Sequence, residues 1–214
     1  MNMENINNEV HLAGYVDAEP IFSHEVYGEK FLIFPLRVKR LSDISDIINI
    51  TVSERLVKIS PIQKDDFIKV SGQFRSYNNY SQTGNKLVLT VFALDLSHIE
   101  DEDGENPNYI YLNGFVCKKP VYRVTPFGRE ITDILIAVNR AYNKSDYMPC
   151  IAWGRNARFS SDLEVGTNIK IWGRIQSREY QKKLSEDETI TKTAFEISIS
   201  KMEVEENLEN ADIV

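Results

Sequence analysis

The chain has 214 residues, of which 42% are hydrophobic and 27% charged, and its formal net charge is −7. This composition is typical of a globular protein with one large or two small domains. It contains no run of about 20 apolar residues that would cross a membrane, and the polar segment 1–8 lacks the apolar core of a signal peptide. We therefore expect an intracellular, cytoplasmic protein.

The residues that usually carry metal binding or catalysis are scattered. Cys117 and Cys150 form no CxxC pair, which favours two reduced core cysteines. His11, His24 and His98 lack the paired spacing of metal ligands. Because a GxxxxGK[ST] phosphate loop and a recognisable nucleophile motif are also missing, we expect no metal, no cofactor and no enzymatic activity.

The sequence repeats itself at a spacing of about 100 residues. Identical residues recur at a spacing of 100, and the segment 68–72 aligns with 169–173 at a spacing of 101. This series of matches indicates a duplicated domain. The pairs that are identical at the 100-residue spacing begin with Asn8 and Asn108, Leu12 and Leu112, Gly14 and Gly114, Val16 and Val116, and Pro20 and Pro120.

The parts of the chain differ in charge. The segment 97–107 contains five acidic residues, a Gly and a Pro, and is therefore predicted to be a solvated linker. The second repeat is basic, as expected for a phosphate-binding domain. We predict a first domain at 1–96 with net charge −2, the linker with −5, a second domain at 108–202 with +5, and an acidic tail at 203–214 with −5.

Both repeats contain short segments in which apolar and polar residues alternate with a period of two, as in β-strands with one face toward a core. Short helices are predicted between the third and fourth strands, at 54–59 and 156–163. This order is that of the OB barrel, so we predict an all-β fold of two tandem five-stranded OB-fold barrels. The strands predicted in the second repeat are 109–116, 131–138, 147–153, 168–175 and 193–199.

Glycines recur at matching places in the predicted strands. Gly14 and Gly114 are expected to interrupt the first strand of each repeat, and Gly72 and Gly173 the fourth. A missing side chain allows the bulge or sharp bend that a small barrel requires.

The predicted fourth strand of the second repeat has an apolar and a basic face, since Ile169 and Ile171 alternate with Lys170 and Trp172. Lys and Arg bind the phosphates of nucleic acids, and the guanidinium group also stacks on bases. The candidate phosphate-binding residues are Arg129, Arg140, Arg155, Arg158, Lys170, Arg174, Arg178, Lys182 and Lys183.

Several strings of the second repeat follow a known order and spacing. They are Gly114, Pro120, TPFG at 125–128, AVNR at 137–140, Trp153 and GRIQSR at 173–178. In these strings, residues 108–202 resemble the bacterial single-stranded DNA-binding protein family. The resemblance implies binding of single-stranded DNA with little sequence preference, in the bacterial cytoplasm or nucleoid, and roles in DNA replication, repair and recombination.

The resemblance also implies that four aromatic positions stack DNA bases: Tyr142, Tyr147, Trp153 and Tyr180. A flat ring binds the π-face of any base, and each stack contributes about 1–3 kcal/mol. Trp153 continues the apolar alternation of its strand, so burial inside the barrel is the alternative. Trp172 has no counterpart in the family pattern, and we place it at a contact between barrels or on the DNA path.

At the same four positions the first repeat has Ser42, Ile47, Ser53 and approximately Asn79. Because three rings are missing, we predict that the first barrel binds DNA weakly and mainly serves assembly. Its weaker candidates for DNA binding are Tyr77, Tyr80, Arg75 and Arg40.

The resemblance further implies an assembly of four OB barrels, which a homodimer of this chain would supply. It also implies a tail that recruits replication and repair proteins through an apolar tip, for which the candidate is Asp212, Ile213 and Val214. A plain solvating acidic terminus is the alternative reading of the tail.

An alternative function is that of an OB-fold assembly module in a primosome or phage replication complex, with secondary DNA affinity. The basic, aromatic hairpin at 170–183 favours DNA binding, because a scaffold has no need of it. An RNA target is a third option, since stacking does not distinguish ribose from deoxyribose.

Overall fold

The structure is a computed structural model, and most of what it describes is β-strand. The all-β prediction is therefore confirmed. The described residues are 6–40, 42, 44–78, 87–99, 108–183 and 189–205, with the side chains of Tyr180, Lys182, Lys183 and Lys192 outside the description.

In the described residues, the first repeat forms six strands and one helix. These are β1 Asn8–Val16, β2 Ile21–Val26, β3 Glu29–Lys39, β4 Ser45–Ser53, α1 Glu54–Ile59, β5 Phe67–Asn78 and β6 Leu87–His98. β1 pairs antiparallel with β3 and β5, β3 with β4, and β5 with β6. Parallel pairing of β4 with β6 closes a five-stranded barrel, and β2 extends β3 as a hairpin.

The second repeat follows the same plan. Its elements are β7 Asn108–Val124, β8 Glu130–Arg140, β9 Lys144–Trp153, α2 Gly154–Ser160, β10 Asn168–Lys183 and β11 Thr189–Val204. β8 pairs antiparallel with β7 and β9, and β9 pairs parallel with β11. β10 lies beside both β11 and β7, so the five predicted strands form a ring in the order of the first repeat.

The helices lie where the sequence places them, between the third and fourth barrel strands. α1 has the predicted bounds, whereas α2 spans Gly154–Ser160 rather than the predicted 156–163. Ser53 caps α1, because its Oγ accepts a hydrogen bond from the backbone N–H of Leu56 at 3.2 Å. Trp153 occupies the matching N-cap position of α2 and makes no side-chain cap.

Two buried asparagines explain one of the repeated identities. Asn8 exchanges two hydrogen bonds with the backbone of Phe74, at 2.7 and 2.8 Å. Asn108 does the same with Ile175, at 2.7 and 2.9 Å. Because a buried amide must be paired, each side chain acts as an extra rung between the first and fourth barrel strands.

The framework glycines are sites of close approach. A Cβ atom on Gly72 or Gly173 would collide with the carbonyl oxygen of Phe92 or Ser198, respectively. The register of β5 against β6 shifts at Gly72, so the predicted bulge is confirmed there. The predicted interruption at Gly14 is wrong, because β1 pairs continuously with β5 through this residue.

By their contacts, the described residues form two compact units that do not coincide with the two repeats. The N-terminal unit contains 8–99 and 108–110 together with 174–183 and 189–196, here called the 174–196 hairpin. The C-terminal unit contains the segments 6–7, 111–173 and 197–205. The predicted domain borders follow the repeats and remain a prediction, with 100–107 outside the described residues.

A buried carboxylate holds the 174–196 hairpin within the N-terminal unit. Asp46 is fully buried and accepts hydrogen bonds from Nε and Nη2 of Arg40, at 2.7 and 2.6 Å. Oδ1 of Asp46 also accepts from the backbone N–H and the hydroxyl of Ser177, at 2.7 and 3.0 Å, and Arg40 donates to the Ser177 carbonyl at 3.1 Å. The hairpin is therefore fixed to β4 by one charged centre.

These contacts determine the ionisation of Asp46. Burial alone would raise the pKa of the carboxyl group, but the hydrogen bonds from Arg40 and from the backbone and hydroxyl of Ser177 outweigh burial. The pKa of Asp46 consequently lies below its ordinary value.

Replacing Asp46 by Asn should lower the free energy of unfolding by about 3 kcal/mol, because Arg40 then loses its charged partner in a buried site. Urea unfolding followed by circular dichroism measures this change. The control Asp95→Asn alters an exposed carboxylate of the same unit and should change stability by less than about 0.5 kcal/mol. Equal effects of the two substitutions would contradict the role of Asp46.

The same ion pair predicts a pH dependence. Because the folded pKa of Asp46 is below the unfolded value of about 3.9, its contribution is complete above about pH 4 and is lost as the pH falls through the folded value. The stability difference between wild type and Asp46→Asn should thus shrink when urea unfolding is repeated from about pH 6 down to about pH 3. A difference that stays constant over this range would show that folding does not lower the pKa of Asp46.

Candidate nucleic-acid interface

The outward side of β9 carries two exposed rings. Tyr147 is 47% exposed and Trp153 is 37% exposed, whereas the alternate residues of the strand point into the barrel. The alternative in which Trp153 fills the barrel is therefore wrong. Trp153 follows Tyr147 by six positions on one face of a strand, which places the two rings about 20 Å apart.

A third ring, Phe115, stands in line with Tyr147. Phe115 on β7 pairs with Ala137 on β8, and Ala137 pairs with Tyr147 on β9. Two strand spacings separate the rings by about 10 Å, with only a methyl side chain between them. Phe115 is exposed and was missed from the sequence, although the alternation of buried Leu112 and Val116 places it on the outward side. We call Phe115, Tyr147, Trp153 and the outward residues between them the β7–β8–β9 face.

The indole of Trp153 is oriented by a hydrogen bond. Its Nε1–H donates to Oγ of Ser198 on β11, at 3.2 Å. The polar edge of the ring is thus anchored while part of the ring stays in contact with solvent. In the first repeat the corresponding residue, Ser53, caps α1. The same backbone position therefore carries a helix-capping serine in the first repeat and a partly exposed tryptophan ring in the second.

Tyr142 lies at the tip of the β8–β9 hairpin. Its side chain is 93% exposed, and both Tyr142 and Asn143 have positive φ angles, of 61° and 54°. A tyrosine in the left-handed region carries a backbone cost of about 1–2 kcal/mol. A ring that is exposed on strained backbone adds nothing to the core, which is consistent with a contact made to another molecule.

Phe127 is a further exposed ring that the sequence analysis did not select. It is 91% exposed in the turn between β7 and β8, where Gly128 has a φ of 74°. The turn is held by Thr125, whose backbone N–H donates to the Arg129 carbonyl at 2.8 Å and whose Oγ1 accepts from the Arg129 N–H at 3.0 Å. In the first repeat, the matching turn exposes Tyr27.

Tyr122, beside the same turn, is engaged within the C-terminal unit. Its hydroxyl donates to the Glu130 carboxylate at 2.6 Å. This hydrogen bond raises the pKa of Tyr122, so the phenol remains protonated.

The predicted phosphate-binding residues differ in availability. Arg129 and Arg155 are exposed, and in the described part of the chain neither has an ion-pair partner. Lys170 is bonded to Glu205, and this hydrogen bond raises the pKa of Lys170 and lowers that of Glu205. The other paired candidates are Arg140 with Asp146 at 3.5 Å, Arg158 with Glu130 at 3.0 Å, and Arg178 with Glu196 at 3.9 Å.

Arg174 donates to Gln176 at 3.4 Å, and the side chains of Lys182 and Lys183 lie outside the described residues. Of the predicted candidates whose side chains the structure describes, Arg129 and Arg155 are therefore the two without an ion-pair or side-chain hydrogen-bond partner.

Trp172 lies in a different cluster. Its ring is 5.2 Å from that of Tyr111, and Nζ of Lys201 lies 4.4 Å from its centroid. The contacts of Trp172 are thus internal ring and cation-π contacts of the C-terminal unit.

Tyr180 belongs to the part of β10 that the contacts assign to the N-terminal unit. The four ring positions implied by the resemblance are therefore divided, with Tyr142, Tyr147 and Trp153 in the C-terminal unit. The side chain of Tyr180 lies outside the described residues.

The corresponding positions of the first repeat carry no stacking rings. Ser42 and Ile47 are exposed, and Ser53 caps α1. Arg40 is engaged by Asp46, and Arg75 donates to Gln73. Tyr77 is exposed, whereas Asn79, Tyr80 and the tail tip 212–214 lie outside the described residues.

Two observations concern other kinds of site. Among the described residues, no three His, Cys, Asp or Glu side chains come together as metal ligands. Within the same ranges, neither helix has the length and apolar character needed to cross a membrane.

Comparison with known proteins matches residues 107–204 to the single-strand binding protein family. Single-stranded DNA-binding protein A of Bacillus subtilis (strain 168) is 28% identical over 96 residues, which are 42% of this chain and 56% of that protein. This chain spans about half the length of the curated relatives it matches.

Solved structures are similar as well. The wild-type single-stranded DNA binding protein from Thermus aquaticus has a TM-score of 0.76 at 18% identity, over 94% of this chain and 93% of that one. The N-terminal domain of PriB protein from Thermoanaerobacter tencongensis, a dimeric structure, is 45% identical over 44% of this chain and 98% of its own, with a TM-score of 0.39. Residues 107–204 of this chain are thus similar to the single-strand binding protein family, and the chain shares the fold of the Thermus aquaticus protein.

Proposed function

We propose that the protein binds single-stranded DNA with little sequence preference, mainly through the β7–β8–β9 face. The observation that carries this proposal is the outward placement of Tyr147 and Trp153 on β9, with Phe115 in line with Tyr147. Exposed rings on a rigid strand are unfavourable in water, whereas stacking on a base covers them and contributes about 1–3 kcal/mol per base.

Phosphate contacts complement the rings. Arg129 follows the turn that exposes Phe127, and Arg155 begins α2 directly after Trp153. Both arginines are close in sequence to an exposed ring, so one nucleotide can engage a ring and a cation together. Phosphate neutralisation is independent of base identity, which fits low sequence preference.

The first repeat is proposed to bind more weakly and to serve mainly in assembly. Its positions 42, 47 and 53 lack rings, and its candidate Arg40 is held by Asp46. An arginine in a buried ion pair gains little by turning to a phosphate, because the carboxylate would lose its partner.

The wider role follows from the family. We propose that the protein protects single-stranded DNA in the bacterial cytoplasm or nucleoid during replication, repair and recombination, and that two copies form a homodimer with four barrels. The acidic tail at 203–214 is the proposed contact for replication and repair proteins.

Titration with oligo(dT) should quench the fluorescence of Trp153 rather than that of Trp172, since the Trp172 ring already contacts Tyr111 and Lys201. The chain has two tryptophans, so substituting one at a time shows which of them gives the fluorescence change. We expect Trp172→Phe to retain the quench and Trp153→Phe to lose most of it. The reverse pattern would place the DNA on the Trp172 cluster, and no quench in wild type at low salt would leave the assembly module as the function.

The substitution Tyr147→Ala should weaken oligo(dT) binding about 5-fold to 150-fold, the loss of one stacked base. Tyr77→Ala is the matched control, because Tyr77 is an equally exposed tyrosine on a strand of the first repeat. We expect the control to change affinity less than about threefold, measured by fluorescence anisotropy. Equal losses would contradict the proposed division of labour between the repeats.

A further inference from the structure

A groove of about 660 Å³ in the N-terminal unit lies apart from the residues proposed above for stacking. One wall is formed by Ile44, Ile47 and Asn49 of the first repeat, and the other by Glu179, Thr193 and Phe195 of the 174–196 hairpin. Its volume is in the range of small-ligand sites. Both repeats of the chain are thus needed to build it.

The groove offers apolar surface without a stack of rings. Ile44 and Ile47 are exposed, although isoleucine side chains are more often buried. Ile47 occupies the position that Tyr147 holds in the second repeat. A flat ligand can therefore lie against the side chains of Ile47 and Phe195.

Of the two charged residues that line the groove, Arg40 is engaged within the protein and Glu179 is not. Arg40 lines it, but its guanidinium group is committed to Asp46 and Ser177. Glu179 is exposed, and among the described residues it has no ion-pair partner. Such a groove disfavours phosphate and favours a neutral ligand with N–H donors.

We propose that this groove binds a nucleobase that carries an exocyclic amino group, which donates a hydrogen bond to the Glu179 carboxylate. Glu is a suitable acceptor for the N4 amino group of cytosine. Thymine has no amino group, and its single N3–H donor is flanked by two carbonyl oxygens that the carboxylate repels. This inference rests on the proposed binding of single-stranded DNA and adds a base preference to the N-terminal unit.

The test is an NMR titration of the full chain with isoleucine methyl labelling, using oligo(dC) and oligo(dT) of equal length. Ile44→Val and Ile47→Val identify the two groove signals, and Ile151, two residues from Trp153 on β9, reports on the β7–β8–β9 face. We expect the Ile44 and Ile47 signals to respond to oligo(dC) at a concentration about tenfold lower than to oligo(dT), the effect of one hydrogen bond to the charged carboxylate.

Glu179→Gln should abolish this difference, because an amide both donates and accepts and so serves thymine and cytosine alike. Glu25→Gln is the control, since Glu25 is an exposed glutamate on β2, outside the groove, and should leave the difference unchanged.

The outcomes separate the two proposals. A response at Ile151 without one at Ile44 and Ile47 overturns the groove and leaves the proposed function intact. No response at any isoleucine overturns both. Equal responses to both oligonucleotides in wild type overturn base recognition by Glu179. A response of Ile44 and Ile47 to oligolysine, but to neither oligonucleotide, also overturns it, because the groove then binds a basic peptide.

Discussion

A buried carboxylate must be paired, and the pairing of Asp46 decides how the N-terminal unit is built. Arg40 supplies the charge, while Ser177 supplies a backbone N–H and a hydroxyl from the other repeat. Because these bonds reach from β4 to β10, the 174–196 hairpin is part of the N-terminal unit. The groove exists only because the hairpin is held there, and the same ion pair removes Arg40 from the cations available to phosphate.

The two repeats use equivalent positions for different purposes. Positions 53 and 153 both precede a short helix, yet Ser53 caps its helix and Trp153 presents a ring. Positions 47 and 147 both point outward, as an isoleucine beside a groove and as a tyrosine on an open face. The shared framework of buried asparagines and close-approach glycines keeps both backbones alike, so such substitutions change the surface without changing the fold.

Much of the fold could be predicted from the sequence, because period-two alternation reports directly on burial within a strand. The strands of the second repeat and both helix positions follow from local patterns. The assignment of the 174–196 hairpin to the N-terminal unit could not be predicted, since it depends on a contact between residues 46 and 177, far apart in sequence. The alternation of apolar and polar residues also could not predict the pairing of Lys170 with Glu205. Phe115, by contrast, was available from the alternation in β7, but its ring lies outside the strings that carried the family resemblance.

The two proposed surfaces also imply two kinds of selectivity. A ring such as Tyr147 accepts any base, because every base has a π-face, so the β7–β8–β9 face gains affinity without discrimination. A carboxylate such as Glu179 distinguishes bases by their donors, and it does so at the expense of phosphate attraction. An acid in the groove of the N-terminal unit is therefore tolerable only if the β7–β8–β9 face of the C-terminal unit supplies most of the binding energy. The exposed rings of the C-terminal unit, with Arg155 directly after Trp153, fit this division, in which one unit holds the strand and the other samples its bases.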